Sequence, residues 1–280
     1  MVLRRLCLYN FERMRLLLIR HAQSKNNKIW DEIAKKYKVQ ENAAYDSNAE
    51  VWSEYNERRS ADPCISELGQ AQAKACGETL KKYLTKLREE KPQMSIKLRS
   101  SPMERTLQTT MAIVENCGED FFPYFEVDNC IFEQGGCFTD SKLPGLPGRS
   151  PEEIKSAYPL ATPTWQGLGW YEHYRKIEGA PLEFEKRGEA YKRAQMIVDK
   201  LWEVDVASMR QKDMLILVVH ADLLDALIKN LMGVSGDDAC LVKMRNTAIN
   251  EFSMDVDSDT GKKHVSVEYL NNFSHLNGLA

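Results

Sequence analysis

The chain has 280 residues, 43% of them hydrophobic and 28% charged, which suits one or two globular domains with a sizeable core. A formal net charge of -3 supplies no global basic field, so nucleic acid and anionic membrane surfaces are not expected partners. Seven cysteines without paired C-x-x-C spacing describe neither a disulfide framework nor a zinc site, and a reducing, cytoplasmic compartment is expected. No apolar run reaches the roughly 18 to 20 residues needed to span a bilayer.

The first stretch, Met1 to Arg13, sets Arg4, Arg5 and Arg13 against Glu12. Transit segments share that Arg-rich, acid-poor character, but this one has no Ser-rich part and no apolar secretory core, so a plain extension is expected. Leu16 to Ile19 then reads as a buried strand ending abruptly in Arg20-His21. Side chains at the C-terminal edge of such a strand stand where α/β sheets bind ligands. Arg is a planar fork for phosphate oxygens, and His is a nucleophile or base near neutral pH.

Lys28 to Arg59 is polar and dotted with Trp30, Tyr37, Tyr45, Trp52 and Tyr55. It reads as a helix over Asp31 to Lys38 followed by an insertion that its aromatics pack onto the body. Ser66 to Glu89 has the three- and four-residue apolar spacing of an amphipathic helix, with Ser66 as N-cap. Ile96 to Leu98 is a short strand. Ser101-Pro102-Met103-Glu104 has the composition of a helix start, with Ser as cap and Glu at the capping-box position, which puts Arg105 in the first turn. An Arg beside free backbone N–H groups suits an anion.

Tyr124 to Val127 and Cys130 to Phe132 are strand-like and lead to Glu133-Gln134-Gly135-Gly136, a carboxylate in a turn composition. Thr139 to Pro163 is rich in Pro and Gly, and Ser150 to Glu153 is a second capping box. Trp165 to Tyr174 reads as another aromatic loop, and Phe184 to Val204 as a long helix. Met214 to Val219 is a continuous apolar run of the parallel-sheet kind, ending in His220. Ala221 to Met232 returns as a helix closed by Gly233. Ala248 to Val256 and Val265 to Leu270 form a hairpin around Asp257 to Gly261, and Asn271 to Ala280 is a loose tail.

Strands alternating with helices predict a three-layer α/β fold: a mostly parallel sheet, helices on both faces, and an insertion cap over the strand C-terminal edge. One domain is expected over 1–280, with an extension at 1–13, cap insertions at 28–60 and 134–183, and a tail at 271–280. Arg20, His21, Arg105 and His220 all stand at strand ends and can meet at one edge. Two Arg and two His around a point suit a tetrahedral dianion.

These residues carry a resemblance. Arg20-His21-Ala22-Gln23-Ser24 resembles the Arg-His-Gly-Glu/Gln-Ser opening of the histidine phosphatase superfamily, the phosphoglycerate mutase-like group. Ile65 to Ala73 resembles its Leu-Thr-x-x-Gly-x-x-Gln-Ala helix, and Ser100 to Thr109 its Ser-Ser-x-x-x-Arg-Ala-x-Gln-Thr segment. Val219-His220-Ala221 resembles the later Ser-His-Gly, and Arg245 to Ile249 the closing Asn-x-x-Ile/Val strand. The five motifs run in order from Leu16 to about Phe252.

The resemblance implies that His21 is the nucleophile, forming a phosphohistidine, and that Arg20, Arg105 and His220 hold the transferring phosphoryl group, with Asn27 as a further donor. Glu133 aligns best with the proton donor, ahead of Asp222 and Glu172, and a raised carboxyl pKa is expected of it. No metal and no cofactor are implied. His173, His264 and His275 match no motif. The expected activity is that of a phosphomonoesterase, a histidine acid phosphatase-type hydrolase acting on a small-molecule phosphoester or a phosphoprotein; the oligomeric state is left open. The alternatives are a phosphoglycerate or phosphosugar mutase and a catalytically weak scaffold. Gln134 to Arg149 lacks the Arg-Tyr-rich continuation of glycolytic mutases, and a scaffold has no need of all five charged residues. Ala22 and Ala221 replace family glycines, and Val219 replaces a hydroxyl. If those alanines require positive φ, each costs on the order of 1 kcal/mol or more; otherwise the methyls only narrow the pocket.

Overall fold

The structure is a computed structural model that describes residues 13–39, 49–206, 213–234, 241–257 and 259–279. Most of the expected N-terminal extension, and Tyr45, lie outside the described residues. Seven strands form one sheet: β1 (Met14–Arg20), β2 (Ile96–Ser100), β3 (Phe125–Val127), β4 (Ala161–Pro163), β5 (Met214–Val219), β6 (Ile249–Val256) and β7 (Lys263–Asn272). Their spatial order is β4-β3-β2-β5-β1-β6-β7. The sheet is parallel from β4 through β1, and β6 runs antiparallel to both of its neighbours.

The alternation of β1 and β5 builds the three layers. Leu17, Ile19, Ile216 and Val218 face one core with Leu80 and Leu84 of α3 (Glu67–Glu90) and Leu107 and Ile113 of α4 (Glu104–Cys117). Leu16, Leu18, Leu215 and Leu217 face the other with Ala194 and Val198 of α7 (Arg187–Lys200) and Leu224 and Leu227 of α8 (Ala221–Met232). Strands buried on both faces need continuous apolar runs, which is why β5 reads Met-Leu-Ile-Leu-Val-Val.

Several local expectations are corrected. The first helix, α1, spans Lys25–Tyr37, six residues ahead of the expected start, because Ser24 and Asn27 close a capping box. Cys130 to Phe132 is not a strand. Asp128 takes the Cys130 N–H on its own carboxylate (2.9 Å), and Arg193 takes the Cys130 and Phe132 carbonyls, so no ladder forms. The region expected to be a cap contributes to the body: β4 joins the sheet edge, and α5 (Pro151–Ala157) opens on the predicted Ser150 capping box. The second aromatic loop contains α6 (Trp170–Ile177), whose Trp170, Tyr171 and Tyr174 pack with Phe132 in the core. The long helix at 184–204 is α7 followed by a π-turn at Leu201–Val206. The tail folds as a 3-10 turn at Ser274–Leu276, where His275 Nε2 meets Thr247 Oγ1 at 3.0 Å.

Candidate active site

The C-terminal ends of β1, β2 and β5, three adjacent strands, open on one cavity of about 1060 Å³. The first junction is held mostly by backbone. His21 N–H donates to Val219 O (2.9 Å), and Thr247 N–H donates to Arg20 O (3.0 Å). Thr247 sits at φ 55°, an outlying conformation for a β-branched residue; its geometry is set by that grip on the β1 end. The motif side chains then lock the loop. Gln72 accepts from Gln23 N–H (2.9 Å), Thr109 accepts from Ala22 N–H (3.0 Å), and Asn246 donates to His21 O (3.0 Å). Gly69 completes the lock, since a Cβ there would lie 2.2 Å from Gln23 O.

His21 is buried. Its Nδ1 lies 2.7 Å from Ala22 O, so that nitrogen carries the proton and Nε2 presents a lone pair, which Arg105 Nε approaches at 3.2 Å. Burial, with the Arg105 and Arg20 charges, holds the imidazole pKa well below its ordinary value. The ring is therefore neutral at pH 7, as a nucleophile requires.

His220 stacks obliquely on His21 with ring centroids 5.2 Å apart. Its Nε2 is 2.7 Å from Ser101 Oγ, which also accepts from Met103 N–H at 3.4 Å. Which of the two donates depends on the His220 tautomer; with Ser101 as donor the ring proton stands on Nδ1, a buried atom without a hydrogen-bond partner among the described residues. Burial and the Arg105 charge keep this imidazole neutral as well. Ser101 is not the helix cap that its composition predicts. The helix instead starts at Glu104, its first N–H taken by Asp62 Oδ1 (2.8 Å), and its Glu104 side chain bonds Tyr158 and Arg149 rather than closing a box. The Ser-Ser motif was the available signal.

Arg20 donates one terminal N–H to Met244 O, and its Nε is buried without an acceptor among the described residues. Glu133 lies at the N-terminus of α8, accepting from Leu223 N–H (3.1 Å) and Asp222 N–H (3.4 Å). Burial, reinforced by the Asp222 charge, pushes its carboxyl up to about 7 against the pull of Arg105. Asp222 is raised too, chiefly by burial. Glu172 lines a separate shallow depression on α6, away from the cavity. Asn27 lines the cavity, but its Oδ1 is spent on Ser24 and Asn246, leaving only its Nδ2 to donate.

The Glu133 turn is fixed from behind. Arg193 and Glu185 form a fully buried bidentate pair (2.7 and 2.6 Å). Arg193 also donates to Cys130 O and Phe132 O, and Glu185 N–H donates to Gly135 O (3.2 Å). Gly135, at φ 94°, admits the Phe138 and Phe184 rings within 2.6 Å of where a Cβ would stand. No motif flags Arg193 or Glu185. Neither Ala22 nor Ala221 has positive φ, so neither methyl strains the backbone; Ala221 lines the cavity, whereas Ala22 packs with Ile65 and Ala73 beneath it. His173 Nδ1 meets Asn129, outside the cavity. Among the described residues no cluster of three or more His, Cys, Asp or Glu is arranged for a metal ion, and no helix is long and apolar enough to cross a membrane.

The fold is shared with solved phosphatases. A mycobacterial hydrolase superposes with TM-score 0.51 at 19% identity, covering 93% of this chain and 99% of that one. Mycobacterial glucosyl-3-phosphoglycerate phosphatase gives 0.50 at 21% identity, with 92% and 98% covered. The ecdysone phosphate phosphatase of Bombix mori, with tungstate, gives 0.50 at 17%, with 86% and 89% covered. No curated protein matches the chain in sequence. The model of the histidine phosphatase superfamily (branch 1) matches residues 51–265, so Arg20 and His21 precede the matched span. By that match, and by its mostly parallel sheet, the chain belongs to the histidine phosphatase superfamily, branch 1.

Proposed function

We propose that the protein is a phosphomonoesterase that works through a phosphohistidine on His21. The observation that carries this is the His21 ring itself: Nδ1–H pinned to Ala22 O, with Nε2 facing Arg105 beside His220. The Nε2 lone pair attacks phosphorus and forms the N–P bond. The ester P–O bond breaks, and the leaving oxygen takes the proton of Glu133. Arg105 exchanges its contact with Nε2 for phosphoryl oxygens, joined by Arg20 and the His220 Nδ1–H, with Asn27 Nδ2 as an outer donor. Water then attacks the phosphohistidine and Glu133 takes its proton. The N–P bond breaks, and inorganic phosphate leaves with His21 and Glu133 restored.

A carboxyl at about 7 suits both proton transfers near neutrality. Turnover therefore declines as pH rises through that value and the acid form disappears. The test is phosphate release over a phosphoester panel, wild type beside His21→Ala. Loss on the order of 10⁴-fold or more is expected on removing the nucleophile. Undiminished activity in His21→Ala overturns the nucleophile, and isomerised product in excess of phosphate makes the enzyme a mutase. An inert wild type over the whole panel favours the scaffold reading.

A further inference from the structure

The cavity holds one guanidinium that the hydrolysis described above does not use. Arg59 follows α2 (Ala49–Arg58) and lines the same cavity as Arg20 and Arg105. Its guanidinium lies 4.1 Å from the centroid of Phe138 and 5.3 Å from that of Tyr55. Its Nε is buried without an acceptor, and no hydrogen bond or ion pair to its guanidinium is present among the described residues. Asp140 and Cys137 are near enough to favour its charge, but neither bonds it, while Arg105 opposes it.

An arginine donates only in its own plane, and contact with two rings orients that plane and removes water from its faces. Leaving such a donor unanswered is costly, and the cost is recovered when an anion arrives. A phosphoryl dianion is matched by two guanidiniums, Arg20 and Arg105, so Arg59 is a third charge beyond what the reacting group requires. Trp52, Tyr55, Phe138 and Phe184 wall the space on its side, a lining for an organic group rather than for solvent alone.

We propose that Arg59 is a specificity subsite for a second anionic group, a carboxylate or a further phosphate, on the leaving group of the substrate. The proposal rests on the phosphomonoesterase reading and adds the class of ester: phosphorylated acids or bisphosphates rather than phosphates of neutral alcohols. Arg59 grips the far end, the aromatic wall covers the carbon skeleton, and the ester phosphate lies against His21.

The experiment compares carboxyalkyl phosphates, alkanediol bisphosphates and alkyl phosphates over a series of matched chain lengths, with wild type, Arg59→Met and Arg59→Lys. At its best length the anionic ester is expected to exceed the neutral one roughly tenfold or more in kcat/KM, the weight of one charge-assisted hydrogen bond. Arg59→Met erases that ratio and Arg59→Lys restores part of it. Whether the carboxylate or the bisphosphate shows the larger ratio identifies the source of the charge. An equal fall on both esters places Arg59 on the transferring phosphate and overturns the subsite, as does a wild type without preference. If no ester is hydrolysed, calorimetry with non-hydrolysable carboxyalkyl and alkyl phosphonates still decides. A preference for the carboxylate that depends on Arg59 keeps the subsite although the hydrolase reading has failed; equal binding removes both.

Discussion

The two sides of the cavity are built differently. On one side, the ends of β1, β2 and β5 carry Arg20, His21, Arg105 and His220, and their backbones are held by sheet hydrogen bonds and by the amides and hydroxyls of Gln72, Thr109 and Asn246. On the other, Glu133 and the aromatic wall stand in irregular chain, held by the Arg193–Glu185 pair and by ring contacts. Many weak, redundant bonds fix the first side, and a few strong ones fix the second. Single changes should therefore damage the second side more, and each prediction here can break or sharpen that contrast.

The largest effect is expected at the buried pair. Arg193→Met leaves Glu185 charged, 1% exposed and unanswered, and should cost about 3–5 kcal/mol in urea unfolding. Removing both charges in Arg193→Met with Glu185→Leu should recover a good part of that loss. If the single variant costs less than the Gly69 change below, the contrast fails.

Next comes Glu133→Gln. Turnover of alkyl phosphates should fall on the order of 10²–10³-fold, far more than that of nitrophenyl phosphate, whose leaving group needs no proton. The decline of wild-type activity above about pH 7 should vanish with it. Stability moves the opposite way. Because burial raises this carboxyl from 4.5 to about 7, the folded state binds the extra proton between those values, so wild type loses stability as pH rises through them. The Gln variant escapes that loss, and its advantage should grow by roughly 1–2 kcal/mol between about pH 5 and pH 8 in denaturation at both pH values.

On the redundant side, Gly69→Ala drives a Cβ into Gln23 O. It should cost about 1–3 kcal/mol and lower kcat, because the displaced loop carries His21. Smallest is Ala221→Gly. Ala221 begins α8 without positive φ, so restoring the family's glycine should lower stability by roughly 0.5–1 kcal/mol through chain entropy alone. A gain in melting temperature would show strain that the backbone angles do not.

The same contrast explains what the sequence made legible. β5, α8 and the Gly233 stop are readable because a run buried on both faces and a left-handed cap each leave a local signature. The four candidate residues Arg20, His21, Arg105 and His220 are readable because strand ends converge by topology. Cys130 to Phe132 has strand composition, but its carbonyls are claimed by an arginine about sixty positions away, which no local window contains. Ser101 has the composition of a cap, yet its hydroxyl serves His220 on another strand. Arg59 shows no motif; of its two rings, Tyr55 stands one helical turn before it, but Phe138 comes from a segment about eighty positions away. Local propensity fails where a side chain's partner lies across the fold.

The strand order also governs how the protein comes into being. β1 and β2 are not neighbours: β5 lies between them and pairs with both. A ribosome that has released the first two hundred residues has delivered Arg20, His21, Arg105 and Glu133, but the strand that joins their supports is still to come. Until Met214–Val219 inserts, the growing chain is a three-stranded half-sheet, β4-β3-β2, and an unpaired β1, since β6 and β7 come later still. Such long-range insertion is slow and open to aggregation. Activity should appear late in synthesis and all at once, and a chain cut before β5 should require chaperone protection rather than show partial function.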